Sequence, residues 1–154
     1  MTQESSAAEL QAYLHEQIPV SRLMEISVVE CGTDRLVLSA PLGPNHNHLG
    51  TAFGGSLATI ATLAGYGALW TALGDRDAHV VVKKSEIEYL RPVKNDILAT
   101  CRLPEGGVGE SFCRVFQAKG KARMILDVSI GEGGNECVRF RGEFVAVRSL
   151  ENGS

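Results

Sequence analysis

The chain of 154 residues lacks charge over one long stretch. The 39 positions from Leu36 to Gly74 contain no Asp, Glu, Lys or Arg, whereas residues 1–35 hold 8 and residues 75–154 hold 25. A basic excess is missing as well. The net charge of −3 argues against a dedicated nucleic-acid binder, which carries clustered Lys and Arg. Metal-ligand spacing is absent, because Cys31, Cys101, Cys113 and Cys137 form neither a C-x-x-C pair nor a zinc pattern. No secretory leader opens the chain, so reduced thiols and a cytoplasmic location are expected. Repeats and low-complexity tracts are also lacking. A hydrophobic content of 44% with 21% charge excludes disorder. The length suits one domain spanning residues 1–154, which buries roughly 68–70% of its unfolded surface and needs no disulfide or metal to fold.

An uncharged block invites a membrane reading, since about 20 apolar residues cross a bilayer. The stretch Ala52 to Leu73, however, contains Ser56, Thr59, Thr62 and Thr71 and four glycines. No Lys or Arg stands near its start, so orientation signals are weak. A helix buried on every side explains the same composition, and no membrane span is expected.

Helix formers at residues 6–17 place Leu10, Tyr13 and Leu14 on one side, giving a short N-terminal helix within residues 1–18. Residues 26–31 and 35–40 flank Gly32-Thr33-Asp34 and predict a β-hairpin. Two prolines and four glycines make residues 41–55 a loop. Residues 55–73 form the buried helix, capped by Gly74. Strands follow at 79–90, with clear alternation over Ser85–Leu90, and at 97–103, 121–130 and 136–148. Residues 109–118 carry an ambiguous pattern in which a short helix is preferred, and residues 149–154 read as a short tail. The class is therefore α+β. One antiparallel sheet wraps a long central helix that is apolar all round, and a second subunit could complete the cover. This is the hot-dog architecture, and a homodimer is expected.

The segment APLGPNHNHLGTAFGGSLATIATLAGYG at 40–67 resembles the hot-dog thioesterase superfamily, and IEYLRPV at 87–93 resembles its strand after the helix. The most specific matches are Asn45-x-Asn47, Thr51-x-Phe53-Gly54-Gly55-Ser56 and Tyr89-Leu90-x-Pro92-Val93. The resemblance is closest to a subgroup of thioesterase domains that includes malonyl-acyl carrier protein decarboxylases. It implies a substrate that is a thioester of acyl carrier protein or coenzyme A, with no cofactor.

The chemistry expected of these residues starts from the helix entrance. Backbone N–H groups at a helix start are unpaired and partly positive, and glycine lets a substrate approach them. The resemblance places an oxyanion donor at Gly54 or Gly55. It also makes Asn47 the candidate catalytic amide, with an alternative role bracing its own loop. Asn45 suits that bracing role better. Phe53, Ser56 and Thr62 are candidate pocket residues. His46 and His48 alternate in direction, His79 starts a strand, and no third ligand accompanies them, so no metal site is expected.

Hydrolytic members of the superfamily resemble one another in an Asp or Glu on the helix. Thr62 stands at that position, and a threonine hydroxyl is a poor base. Glu86 or Glu88 of a partner subunit is a possible substitute, though both suit a solvated face. Decarboxylation of a malonyl thioester needs no such base. The chemistry therefore points first to malonyl-thioester decarboxylation for fatty-acid initiation, then to thioester hydrolysis, then to a non-catalytic acyl-thioester binding module. Residues 111–126 contain Arg114, Lys119, Lys121 and Arg123 without an acid, a candidate patch for an acidic carrier or coenzyme A phosphates.

Overall fold

Burying an uncharged helix requires a surface that curves around it, and the computed structural model, which describes residues 3–75 and 77–148, supplies one. The expected tail at 149–154 lies outside the described residues. The elements are α1 (Gln3–Gln17), α2 (Pro19–Leu23), β1 (Ser27–Cys31), β2 (Arg35–Ala40), α3 (Gly54–Leu73), β3 (Ala78–Tyr89), β4 (Ile97–Arg102), α4 (Val108–Lys119), β5 (Lys121–Glu132) and β6 (Asn135–Arg148). Six strands form one antiparallel sheet in the order β1-β2-β4-β5-β6-β3. The α+β hot-dog expectation is met.

Helix α3 packs against β2, β3, β4, β5 and β6. It is the one described helix long and apolar enough to cross a membrane, and 56% of its most apolar window is buried inside the fold. Its end is set locally. Gly74 takes φ +61°, and its N–H donates to the Trp70 carbonyl, closing the helix. Gly65 is required by packing rather than by φ, because a Cβ there would run into the ring of fully buried Phe144 on β6.

Two differences from the sequence expectation have local causes. Pro19 does not only end the first helix; it starts α2, where a missing N–H costs nothing at the first turn. The alternation expected over Ser85–Leu90 is not expressed as burial. Val81 to Leu90 are exposed on both faces apart from half-buried Ile87. All of it but Leu90 belongs to β3, which among the described residues pairs only with β6 and is the sheet's edge. The opposite edge, β1, is sheltered by α1. Gln11 Oε1 accepts from the Val28 N–H at 2.9 Å, and His15 Nε2 bonds the Ile26 carbonyl at 2.7 Å.

A Cβ at Gly65 would lie within 2.6 Å of two Phe144 ring carbons, so the ring or the helix must shift. Gly65→Ala is therefore expected to destabilise the fold by about 1–3 kcal/mol, read as a lower urea midpoint at unchanged slope.

Candidate active site

Residues 41–53 form a built loop rather than a disordered one. A 3-10 turn at Gly43–Asn45 is followed by a small hairpin, with His46 bridged to Ala52 and the Asn47 N–H donating to the Thr51 carbonyl at 2.7 Å. Gly50 turns the tip with φ +77°. The Ala52 N–H donates to the Val93 carbonyl at 2.8 Å, and the Phe53 N–H donates to the Asn45 carbonyl at 2.7 Å. These two bonds deliver the chain into α3.

Asn45 and Asn47 share the work of holding that loop. Asn45 is 1% exposed, and its Nδ2 donates to the Met24 and Pro41 carbonyls at 2.9 and 2.8 Å. Its Oδ1 is buried without a partner among the described residues. Asn47 is half-buried. Its Oδ1 accepts from the Leu49 and Thr51 N–H groups at 2.9 and 3.2 Å, and its Nδ2 donates to Thr51 Oγ1 at 3.0 Å. The candidate catalytic amide is thus a loop brace, with one amide hydrogen left over. Sequence reasoning preferred the bracing role for Asn45 and kept it as the alternative for Asn47; the structure gives it to both.

At the start of α3 the first helical bond runs from the Leu57 N–H to the Phe53 carbonyl, at 3.0 Å. The N–H groups of Gly54, Gly55 and Ser56 precede it and have no carbonyl partner among the described residues. Tyr89, at the end of β3, donates its hydroxyl to the Gly54 carbonyl at 3.2 Å. The half-exposed ring of Phe53 lies across Gly55, where a Cβ would meet it. Phe53, Gly54, Gly55 and Ser56 thus lie at one helix entrance.

From that entrance one stripe of α3 stays open: Gly55, Thr59, Thr62 and Tyr66, spaced at helical periodicity. Leu63, Val80, Val81, Val82 and Phe144 wall a groove along it. The Thr59 hydroxyl donates to the Gly55 carbonyl and the Thr62 hydroxyl to the Ala58 carbonyl, each at 2.8 Å. Both protons are spent on the helix, so each hydroxyl can offer only lone pairs to a ligand. Tyr66 closes the far end, sharing a hydrogen bond of 3.1 Å with Tyr13. Burial, then that bond, pushes the Tyr66 phenol above its ordinary value, so it stays protonated. Among the described residues no carboxylate, histidine or thiol lines this groove.

The other candidates are elsewhere. His46 and His48 are exposed on the hairpin, with His46 Nδ1 bonded to the Asn47 carbonyl at 2.8 Å. Glu86 and Glu88 are exposed opposite Arg141 and Arg139 on β6. Lys119, Lys121 and Arg123 come together with Lys83 around a separate groove, while Arg114 reaches back to Ser111 at 3.1 Å. That basic groove lies at the other end of α3. Cys113 of α4 donates to the Ala72 carbonyl there, and Lys121 is two strands from His79, in the register Lys121–Val147–His79. With α3 spanning 20 residues, the two ends are roughly 30 Å apart. Lys121 and Arg123 are also exposed positions, alternating with Ala122 and Met124, which are buried in the core. Within one chain the patch and the helix entrance are not one site. Among the described residues no cluster of His, Cys, Asp or Glu is arranged to hold a metal ion. Cys101, buried in the core, has its thiol pushed up to about 12 by desolvation and is inert at neutral pH.

Comparisons with known proteins agree with this fold. A family model described as "Putative thioesterase (yiiD_Cterm)" matches residues 7–148. A solved structure described as a "putative thioesterase" from Shewanella oneidensis is 33% identical, covering 94% of this chain and 99% of that one, with a TM-score of 0.83. A protein of unknown function from Chlorobaculum tepidum is 28% identical over 96% of this chain and 98% of that one, with a TM-score of 0.88. A Pseudomonas aeruginosa protein described as a "probable thioesterase", 22% identical over 92% of this chain and 95% of that one, shares the fold at a TM-score of 0.78.

The two asparagines should separate in stability measurements. Asn45→Ala strands the Met24 and Pro41 carbonyls and is expected to cost about 1–3 kcal/mol in urea unfolding. Asn47→Ala, at a half-exposed turn, should cost about 0.5–1.5 kcal/mol.

Proposed function

Because this chain belongs to the family described as "Putative thioesterase (yiiD_Cterm)", we propose that it acts on acyl thioesters, and that the reaction it favours is decarboxylation of a malonyl thioester. The thioester carbonyl sits at the unpaired N–H groups of Gly54, Gly55 and Ser56, and the acyl or pantetheine arm follows the open stripe of α3. Asn47 keeps the loop above the entrance in place and has one amide hydrogen to offer the same oxygen.

One observation carries the choice of reaction. Among the described residues the groove from Ala58 to Tyr66 holds no carboxylate, histidine or thiol, and the Thr62 hydroxyl is committed to the Ala58 carbonyl. Hydrolysis needs a group to take a proton from water. Decarboxylation does not. The bond from the methylene to the carboxylate breaks, carbon dioxide leaves, and its electron pair moves into an enolate. The helix N–H groups stabilise the enolate oxygen, and a proton from water completes the acetyl thioester. A carboxylate at position 62 would repel the substrate's own. Hydrolysis is the second reading, favoured by the description of the Shewanella relative, and requires a base from a second copy.

A homodimer belongs to this proposal. Edge strand β3 leaves Val81 and Val82, at 54% and 41% exposure, beside the open stripe of α3. A second copy pairing along β3 covers both. Lys119, Lys121 and Arg123, a helix length away, take no part in chemistry at their own chain's entrance.

Incubation with malonyl-carrier protein is expected to release carbon dioxide and leave acetyl-carrier without free thiol. Free thiol from the outset would establish hydrolysis instead, and binding without either product would establish a non-catalytic module. Thr62→Asp is expected to lower decarboxylation at least about tenfold by charge repulsion at the substrate carboxylate. Sedimentation should give twice the monomer mass, and Val81→Lys with Val82→Lys should give the monomer with activity reduced in parallel.

A further inference from the structure

The edge of β5 is open beside α4. Strand β4 pairs with β5 only through Ala99–Cys101 against Val128–Ile130. From Lys121 to Asp127, β5 is paired on one side, with β6. The bonding phase of that pairing follows from one contact. The Arg148 N–H donates to the Gly120 carbonyl at 2.9 Å, and the register continues as Lys121 opposite Val147 and Ala122 opposite Ala146. Bonded and non-bonded pairs alternate in an antiparallel ladder. Ala122, Met124 and Leu126 therefore spend their backbone groups on β6, whereas Arg123 and Ile125 present theirs on the other side. No described residue meets those groups of Arg123 and Ile125.

Helix α4 faces this edge across a groove. Phe112 and Phe116 anchor the helix in the core, but Val108 and Val115 stand on a second stripe and are 41% and 43% exposed. Ile125, across the groove, is 57% exposed. The rim is predominantly basic. Among the described residues Lys83, Lys119, Lys121 and Arg123 border it against one acid, Glu143, which pairs with Arg123 at 3.6 Å. A bare strand edge invites any extended chain, and basic side chains on it repel basic ones.

We infer that the groove between α4 and the free edge of β5 is a docking site for an extended acidic segment of a partner protein. The segment adds as a strand along Lys121–Ile125. Its backbone meets the unpaired groups of Arg123 and Ile125. Its apolar side chains rest on Val108, Val115 and Ile125, and its carboxylates face the basic rim. The site is separate from the helix entrance and independent of the reaction run there.

A fluorescein-labelled peptide of alternating Glu and Val is the probe, read by anisotropy with the intact protein. Binding is expected to weaken at high salt and to shield the Arg123 and Ile125 amides from hydrogen exchange. Replacing Glu by Lys, or N-methylating the peptide's backbone amides, should each weaken binding at least about tenfold. Val115→Glu, at an exposed position, should do the same while leaving circular dichroism and thioester turnover unchanged. Absence of binding, equal binding of the Lys peptide, indifference to N-methylation, or protection elsewhere on the sheet would each overturn the proposal.

Discussion

The need to bury α3 governs the molecule. A helix that carries no charge over 20 residues cannot stand in water, so the sheet bends around it and five strands contribute side chains to its cover. Close approach is bought with small residues. Gly65 admits the Phe144 ring, and Gly67 admits Leu36 and Leu10. A sheet wrapped on one helix still cannot enclose it completely, and the uncovered stripe from Thr59 to Tyr66 becomes the groove.

The helix entrance inherits its chemistry from the same constraint. Burying the body of α3 leaves its first N–H groups at the surface without carbonyl partners. The loop from Gly43 to Phe53 arranges the approach to them, with Asn45 pinning its base to Met24 and Pro41 and Asn47 closing its tip. A groove lined by hydroxyls, methyl groups and a protonated phenol leaves an arriving carboxylate without a competing charge. That is the physical argument on which the proposal of decarboxylation over hydrolysis rests.

Charge is placed where the core does not need it. The outer face of the sheet carries cross-strand pairs such as Arg141 with Asp127, whose carboxyl is held below its ordinary range by that guanidinium. Exposed pairs of this kind add little stability. Around α4 the cations are less balanced, and there the sheet also has an unpaired edge.

Much of this was legible in the chain alone. The uncharged block, the Gly-Gly before a long apolar run and the cap at Gly74 set the central helix, because burial and helix termination are local consequences of composition. The missing carboxylate at Thr62 was equally plain. Tertiary structure decided the rest. That Asn47 serves its own turn depends on where the Leu49 and Thr51 N–H groups come to lie. That Lys121 and Arg123 are remote from Gly54 depends on β5 starting at the far end of α3. That Val81 to Leu90 show no buried face depends on β3 being an edge strand. None of these is a property of residue type or spacing, since each follows from which segments the sheet order brings together across long separations in the chain.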